Sequence, residues 1–290
     1  MMSVSAIQVK ELREKTGAGM MDCKKALEES GGDFEKAIEI LRKKGAAVAA
    51  KRAERSANEG LVLTKLFNDG KSAAILEINC ETDFVARSED FVNFSNFVME
   101  LLVDQKPKDI ASLLELSRDG KKVADELNAI IGKIGEKIEV SRFAIENTES
   151  GEIVEYVHHG SKLGVLIKVD NVPSDKAAEL HPSLKDIAMQ VAAMRPLTIY
   201  RDEVDKTVIE KEIDIYKEVA RKEGKPEQVL EKIATGKLNK FFEENCLNEQ
   251  AFIKDNTKKV GDLISEFNKK NSAQTKLVLF RRFHISDENK

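Results

Sequence analysis

The sequence predicts an α+β protein with an N-terminal three-helix module, two related core units built on antiparallel sheets, and an antiparallel helical hairpin inserted into the second unit. Three features support this reading. Apolar residues recur at three-to-four spacing up to about residue 45, and from Leu61 the pattern changes to strand-like runs. The order strand, strand, helix, strand then occurs twice, which suggests duplicated units packed side by side. At 290 residues and 41% apolar, the chain can bury cores in more than one unit.

In "SAIQVKELREKTGAGMMDCKKALEESGGDFEKAIEILRKKG", Val9 with Leu12, Cys23 with Ala26 and Leu27, and Phe34 with Ala37, Ile38 and Leu41 share helix faces. "TGAG" and "SGGD" separate the three helices, Asp33 is a suitable N-cap, and Gly45 is expected to end the third. The module spans residues 1–56, its last part "AAVAAKRAERSANEG" being an expected linker with a solvated charge run at Lys51, Arg52 and Arg55. The first core unit, 57–147, opens on a hairpin, "LVLTKLFNDGKSAAILEIN", around the turn residues Asn68 to Lys71. The "GKS" there is not a phosphate loop, because the leading glycine position falls on Lys65 and a strand follows instead of a helix.

A helix from about Glu89 to Val103 then turns Phe91, Phe94, Phe97, Val98, Leu101 and Leu102 toward a core, with Ser88 as cap. A further helix is expected from roughly Gly120 to Ile131, and "GKIGEKIEVSRFAI" is a turn leading into a strand. The second core unit comprises 148–198 and 248–290, with the hairpin "GEIVEYVHHGSKLGVLIKVDN", the helix "SLKDIAMQVAAMRP" stopped by Pro196, and the late strand "TKLVLFRRFHI". Between its parts, residues 199–247 carry two apolar stripes, Val204, Val208, Ile215 and Val219, then Val229, Leu230, Ile233, Leu238 and Phe241, broken at Gly224 and Pro226. That pattern is a projecting helical hairpin with a narrow apolar face, open to a second copy or a partner.

The formal net charge of -4 gives no global attraction to polynucleotides. Three widely separated cysteines, Cys23, Cys80 and Cys246, suit reduced thiols in a cytoplasmic protein rather than a disulfide framework or metal site. No apolar run is long enough for a membrane span, and Lys10, Glu11, Arg13 and Glu14 stand where a signal peptide needs its apolar region. There are four histidines, and no nucleophile elbow, paired-histidine zinc motif or dinucleotide loop accompanies them. The adjacent pair His158 and His159 lies at a hairpin tip, where successive side chains diverge. No enzymatic chemistry, cofactor or metal is therefore expected.

The residues left over are in "INCETDFVARSEDFVNF", where a strand runs into Thr82, Asp83 and Phe84 before the next helix. Phe84 can be an ordinary core ring, which is the commoner fate of phenylalanine. Alternatively it is displayed, since the following helix already supplies three phenylalanines and the loop precedes the Ser88 cap.

Taken with "ELREKTGAGMMDCKKALEESGGDFEKAIEILRKKG", "INCETDFVAR", "GKIGEKI", "HHGSKLGVLI", "IAMQVAAMRP" and "GKPEQVLEKIATGKLNKFFEE", the chain closely resembles the translation elongation factor Ts family over nearly its whole length. The resemblance implies a guanine nucleotide exchange factor for elongation factor Tu in protein synthesis. It also implies that the N-terminal helices form a ubiquitin-associated-like module touching the partner's GTPase domain, with Met20, Met21 and Lys24 as contacts. Thr82, Asp83, Phe84 and Val85 of "TDFVA", Ile134 and Gly135, and His159 are implied contacts as well. The second unit would hold domain 3 of the partner, and the hairpin would support a homodimer or a 2:2 complex. Where family members continue into a short C-terminal module, this chain has "HISDENK", so that contact is expected to be absent or replaced.

Two other classes make different demands. An adaptor built on the N-terminal module would bind its main partner through residues 1–56 and leave Phe84 dispensable. An RNA-binding translation protein would use Lys51, Arg52 and Arg55 with Arg281 and Arg282, against the acidic balance of the chain.

Overall fold

The computed structural model describes residues 4–287; the outermost residues of the first and last expected units, 1–3 and 288–290, lie outside the described residues. Helices α1 (Ala6–Thr16), α2 (Met20–Glu29) and α3 (Phe34–Arg52) open the chain. Ser5 and Gln8 form a capping box on α1, Gly17 closes it in the left-handed region at φ 67°, and Asp33 caps α3 by accepting from the Lys36 amide. Val9, Leu12, Cys23, Ala26, Leu27 and Ala37 bury a small core between them.

The first sheet begins with the expected hairpin, β1 (Glu59–Phe67) and β2 (Ser72–Cys80), turning through Asn68 and Asp69 at φ near 50° and Gly70 at 77°. After it come α4 (Asp83–Ala86), α5 (Glu89–Gln105), α6 (Ile110–Glu115), the two-residue strands β3 (Ser117–Arg118) and β4 (Lys121–Lys122), α7 (Val123–Ile134) and β5 (Ile138–Asn147). The expected start of α7 at Gly120 is corrected, because Gly120 serves the turn between β3 and β4 at φ 75°. The helix also runs on through Ile134, so the turn into β5 starts only at Gly135.

The second sheet uses β6 (Glu152–Val157), β7 (Leu163–Asp170) and, after α8 (Ala177–Met194), α9 (Lys206–Lys222), α10 (Glu227–Asn245), β8 (Ala251–Phe252), β9 (Asp255–Lys259) and α11 (Val260–Asn271), the last strand β10 (Lys276–His284). Strand order is β1-β2-β5 in one sheet and β6-β7-β10 in the other. Both are antiparallel and both place the second strand in the centre, so the repeated order seen in the sequence is a repeated topology.

The two sheets meet face to face. β2 is buried at every residue: Ala74, Leu76, Ile78 and Cys80 point to a layer containing α5 and α7, while Ala73 and Ile75 point to the other sheet. There they join Val62, Ile153, Leu166 and Phe283. On the far side, Val165, Ile167 and Val169 of β7 pack with α8 and α11. The body thus has four layers, helix, sheet, sheet and helix, which is why a central strand shows an unbroken apolar run instead of alternation. Gly164 marks the closest approach, since a Cβ there would lie 2.6 Å from Val62 Cγ1. Glu77, fully buried, accepts from Arg142 Nε at 2.8 Å, and Arg142 also pairs with Asp287 at 2.9 Å, which ties the chain's last described residue to the first sheet.

The expectation that Gly45 ends α3 is overturned. The helix continues to Arg52, and Gly45 is buried where α3 crosses α7: a Cβ on Gly45 would sit 2.6 Å from the Asn128 carbonyl oxygen, and one on Gly132 would sit 3.0 Å from the Gly45 Cα. The expected linker is therefore helical through Arg52, with Val48 and Ala49 packed on the first core. Helices α9 and α10 run back along each other, linked by Arg221 to Glu227 at 2.7 Å and by Lys217 to Glu231. Val204, Phe242 and Cys246 are buried at their base, whereas Val208, Ile215, Val219 and Val229 are exposed.

Candidate functional site

At the end of the first sheet where β2 stops and β5 starts, the last ladder pair is Cys80 with Ile138. Beyond it the chain turns into α4, a single helical turn capped by Thr82, whose hydroxyl accepts from the Val85 amide at 3.4 Å. Asp83 pairs with Arg87 at 2.8 Å, and Val85 turns inward onto the first core. Phe84 does the opposite: 83% of its surface is open to solvent, the highest value among the exposed large apolar side chains. The core alternative for this ring is excluded.

Two carboxylates hold the loop. Glu136 accepts from the Thr82 amide at 3.1 Å and from its hydroxyl at 2.8 Å. In return, Glu81 accepts from the Lys137 amide at 2.7 Å and is gripped by Arg55 Nη1 at 2.7 and 3.1 Å. The Lys137 hydrogen bond foremost, and then Arg55, hold the Glu81 carboxyl below its ordinary value. Burial, with the Glu136 charge adding to it, pushes the Cys80 thiol up to about 12.

Ile134 and Gly135 are therefore beside the displayed loop. Ile134 is the last residue of α7 and rests on the first core; Gly135 caps the helix at φ 80°, its amide donating to the Ile131 carbonyl. The turn between α1 and α2 also reaches this region, a Cβ on Gly17 lying 3.7 Å from the Lys133 ammonium. Met20 and Met21 at the start of α2 are exposed, at 58% and 61%, and Lys24 is exposed beside Glu28 at 3.8 Å. His159 sits exposed at the β6–β7 tip, which docks at the start of β1 through the Val62 amide and Ser161 carbonyl at 2.7 Å and an ion pair of Lys162 with Glu59 at 2.5 Å. His158 is bonded to the Tyr156 hydroxyl at 2.8 Å.

Thr82, Asp83, Phe84 and Val85 thus lie with Ile134 and Gly135 at one end of the first sheet, whereas Met20, Met21 and Lys24 stand on the N-terminal helices and His159 on the second unit's hairpin tip. Sequence reasoning missed Glu81 and Glu136, and it placed Arg55 in a solvated charge run where the structure pairs it with Glu81. No local period marks them, and only the adjacency of two glutamates to the two ends of a strand pair was available as a signal. Of the basic residues in the RNA-binding alternative, Arg55, Arg281 and Arg282 are engaged with Glu81, Glu146 and Asp287. Among the described residues no cluster of three His, Cys, Asp or Glu is placed to hold a metal ion, and no helix is long and apolar enough to cross a membrane. A cleft of about 760 Å³ lies between the N-terminal helices and α5 and α7, lined in part by Thr16, Asp22, Gly45, Phe94, Phe97 and Lys133.

Fold and site together define a class: an α+β protein with duplicated three-stranded units that presents an apolar loop at one end. The family model described as "Elongation factor TS" matches residues 81–287. An elongation factor Ts of Chlorobaculum parvum is 47% identical over 98% of this chain and 99% of its own length. Those of Chlorobium limicola and Chloroherpeton thalassium are 47% and 43% identical over 99% of this chain and 100% of their own lengths. The chain belongs to the elongation factor Ts family.

Proposed function

We propose that this protein serves translation elongation as the guanine nucleotide exchange factor for elongation factor Tu, acting by protein binding and not by covalent chemistry. The observation that carries the reading is the bare Phe84 ring, an aromatic held in water by a loop that is itself firmly bonded. An aromatic so presented has an unfavourable resting place and gains by entering a pocket of another protein. In the partner, nucleotide is held by backbone amides and by Mg²⁺, whose octahedral demands make binding sensitive to small displacements. Insertion of Phe84 beside those elements, with Asp83, Ile134, Gly135, His159 and the exposed Met20, Met21 and Lys24 around it, weakens the grip on GDP. By reciprocity the returning nucleotide weakens the grip on this protein.

Burying one phenylalanine ring contributes about 1.5–3 kcal/mol, and coupling between two sites is typically about 1–3 kcal/mol, so a single ring is of the size to supply much of the effect. In this reading the three helices form a ubiquitin-associated-like module. The second unit holds another domain of the partner, with the exposed Met194, Leu197 and Ile253 available for it. The open stripe Val208, Ile215, Val219 and Val229 is the face through which two copies associate into a dimer or a 2:2 complex.

The test is release of a fluorescent GDP analogue from elongation factor Tu with the wild-type chain and Phe84→Ala. Acceleration by wild type, with the variant about tenfold or more slower at unchanged thermal stability, is expected from the loss of one buried ring. Equal rates for the two proteins would overturn the role of Phe84.

A further inference from the structure

The same end of the molecule contains an arrangement that the exposed ring alone does not explain. Past the last ladder pair, Cys80 with Ile138, the strands β2 and β5 part company and leave backbone amides that no strand can satisfy. Each segment supplies the missing acceptor to the other. Glu81, leaving β2, accepts from the Lys137 amide before β5, while Glu136, approaching β5, accepts from the Thr82 amide and hydroxyl after β2. Thr82 is in turn the cap of α4.

A helix of one turn does not hold itself together in water, because nucleation costs more than its few hydrogen bonds return. Nor is Phe84 steadied by packing, with 83% of its surface free. Its direction is therefore set by backbone, which the two carboxylates hold together with the Cys80 thiol at the Thr82 carbonyl and the inward packing of Val85 and Ala86. Arg55 completes the arrangement: its Nη1 donates to both oxygens of Glu81, and its own amide donates to the carbonyl of Arg52, the last residue of α3, three positions earlier.

We propose that Glu81 and Glu136 act as a reciprocal carboxylate clamp that presents Phe84 and the Ile134–Gly135 turn as one rigid unit, with Arg55 fixing the clamp to α3. These are positioning residues, whose effect on nucleotide release in the complex runs through Phe84; the proposal rests on the exchange-factor reading above. A preorganised contact loses less freedom on binding and keeps its direction when it pushes.

The experiment uses the full chain and two readouts, amide hydrogen exchange in the free protein and the saturating rate of GDP-analogue release from elongation factor Tu. Glu136→Ala removes both acceptors at Thr82, and exchange at the Thr82 amide is expected to rise about tenfold, the scale of a lost charge-assisted hydrogen bond, while the centre of β2 at Leu76 stays protected. The saturating release rate is expected to fall about fivefold to tenfold by the same scale. Glu136→Gln, which retains one carbonyl acceptor, is expected to lie between the two in both readouts. Unchanged Thr82 exchange in Glu136→Ala overturns the clamp. Lost protection with a wild-type saturating rate, or with only the half-saturating concentration raised, overturns its positioning role. If the wild-type chain itself fails to accelerate release, the exchange-factor reading falls and takes the positioning role with it, whereas the hydrogen-exchange readout still decides whether the clamp holds the loop.

Discussion

Gly45→Ala and Gly236→Ala are the same chemical change in the middle of two helices, and the structure gives them opposite signs. Replacing an interior helical glycine by alanine gains about 1 kcal/mol from backbone entropy and helix propensity. At Gly236, in α10, nothing lies within 4 Å of the new methyl group, so that gain is expected in full. At Gly45 the methyl group would sit 2.6 Å from the Asn128 carbonyl oxygen, a backbone atom of α7 that cannot rotate away. Ordinary contact begins near 3.4 Å, so α3 and α7 must separate by about 0.8 Å at their crossing. Overpacking of this kind costs about 1–3 kcal/mol. Because the propensity gain is common to both variants, the difference between them isolates the packing cost. Urea unfolding followed by circular dichroism measures it as a shift in midpoint at constant slope. Gly236→Ala should move the midpoint up and Gly45→Ala should move it down or leave it unchanged. Equal upward shifts would show that α3 and α7 are not in backbone contact at Gly45, and the assignment of α3 as a continuous strut onto the core would fall with it.

Other outcomes follow from the buried polar groups. Arg142→Met removes the guanidinium shared by the fully buried Glu77 and by Asp287 and should destabilise by about 3 kcal/mol, measured by thermal unfolding; an unchanged midpoint would show that the buried pair contributes nothing. The thiols of Cys23, Cys80 and Cys246 are all buried, and burial pushes that of Cys80 up to about 12, so a thiol reagent at pH 8 should label none of them until the chain is unfolded. Rapid labelling of Cys80 in the folded protein would contradict its burial at the end of β2, between β1 and β5 and in one core with Ala86 of α4.

Much of this architecture was legible from residue order. Asn68, Asp69 and Gly70 can take left-handed backbone angles that most residues avoid, so the first hairpin announced itself. Ser88 and Asp33 are short side chains that accept from amides three residues on, so the starts of α5 and α3 were equally plain. Misjudgements came where a residue has two uses. Gly45 has the chemistry of a helix stop, but here it is a place where two backbones touch. Gly120 has the spacing of a helix start, but here it turns a short strand pair. The short helix α6 and the two-residue strand β8 paired with β9 carry no clear period and form only against neighbours supplied by the rest of the chain, whereas α11 does carry one, Val260, Leu263, Ile264 and Phe267 sharing a helix face.

The candidate site divides in the same way. Local chemistry by itself determined that a loop containing Thr82, Asp83 and Phe84 lies between a buried strand and a capped helix, and that the chain repeats one strand and helix order twice. It could not determine whether Phe84 faces inward or outward, because an aromatic in a loop has the same composition in either state and only the occupancy of the surrounding volume distinguishes them. Tertiary structure decided that question by filling the core with Phe91, Phe94 and Val85 and leaving Phe84 in water. It also brought Glu81 and Glu136, 55 positions apart, to opposite sides of one frayed strand pair, and Gly45 onto Gly132. Contacts between residues so distant in the chain follow from the way the layers close on one another, and no local pattern in the sequence encodes them.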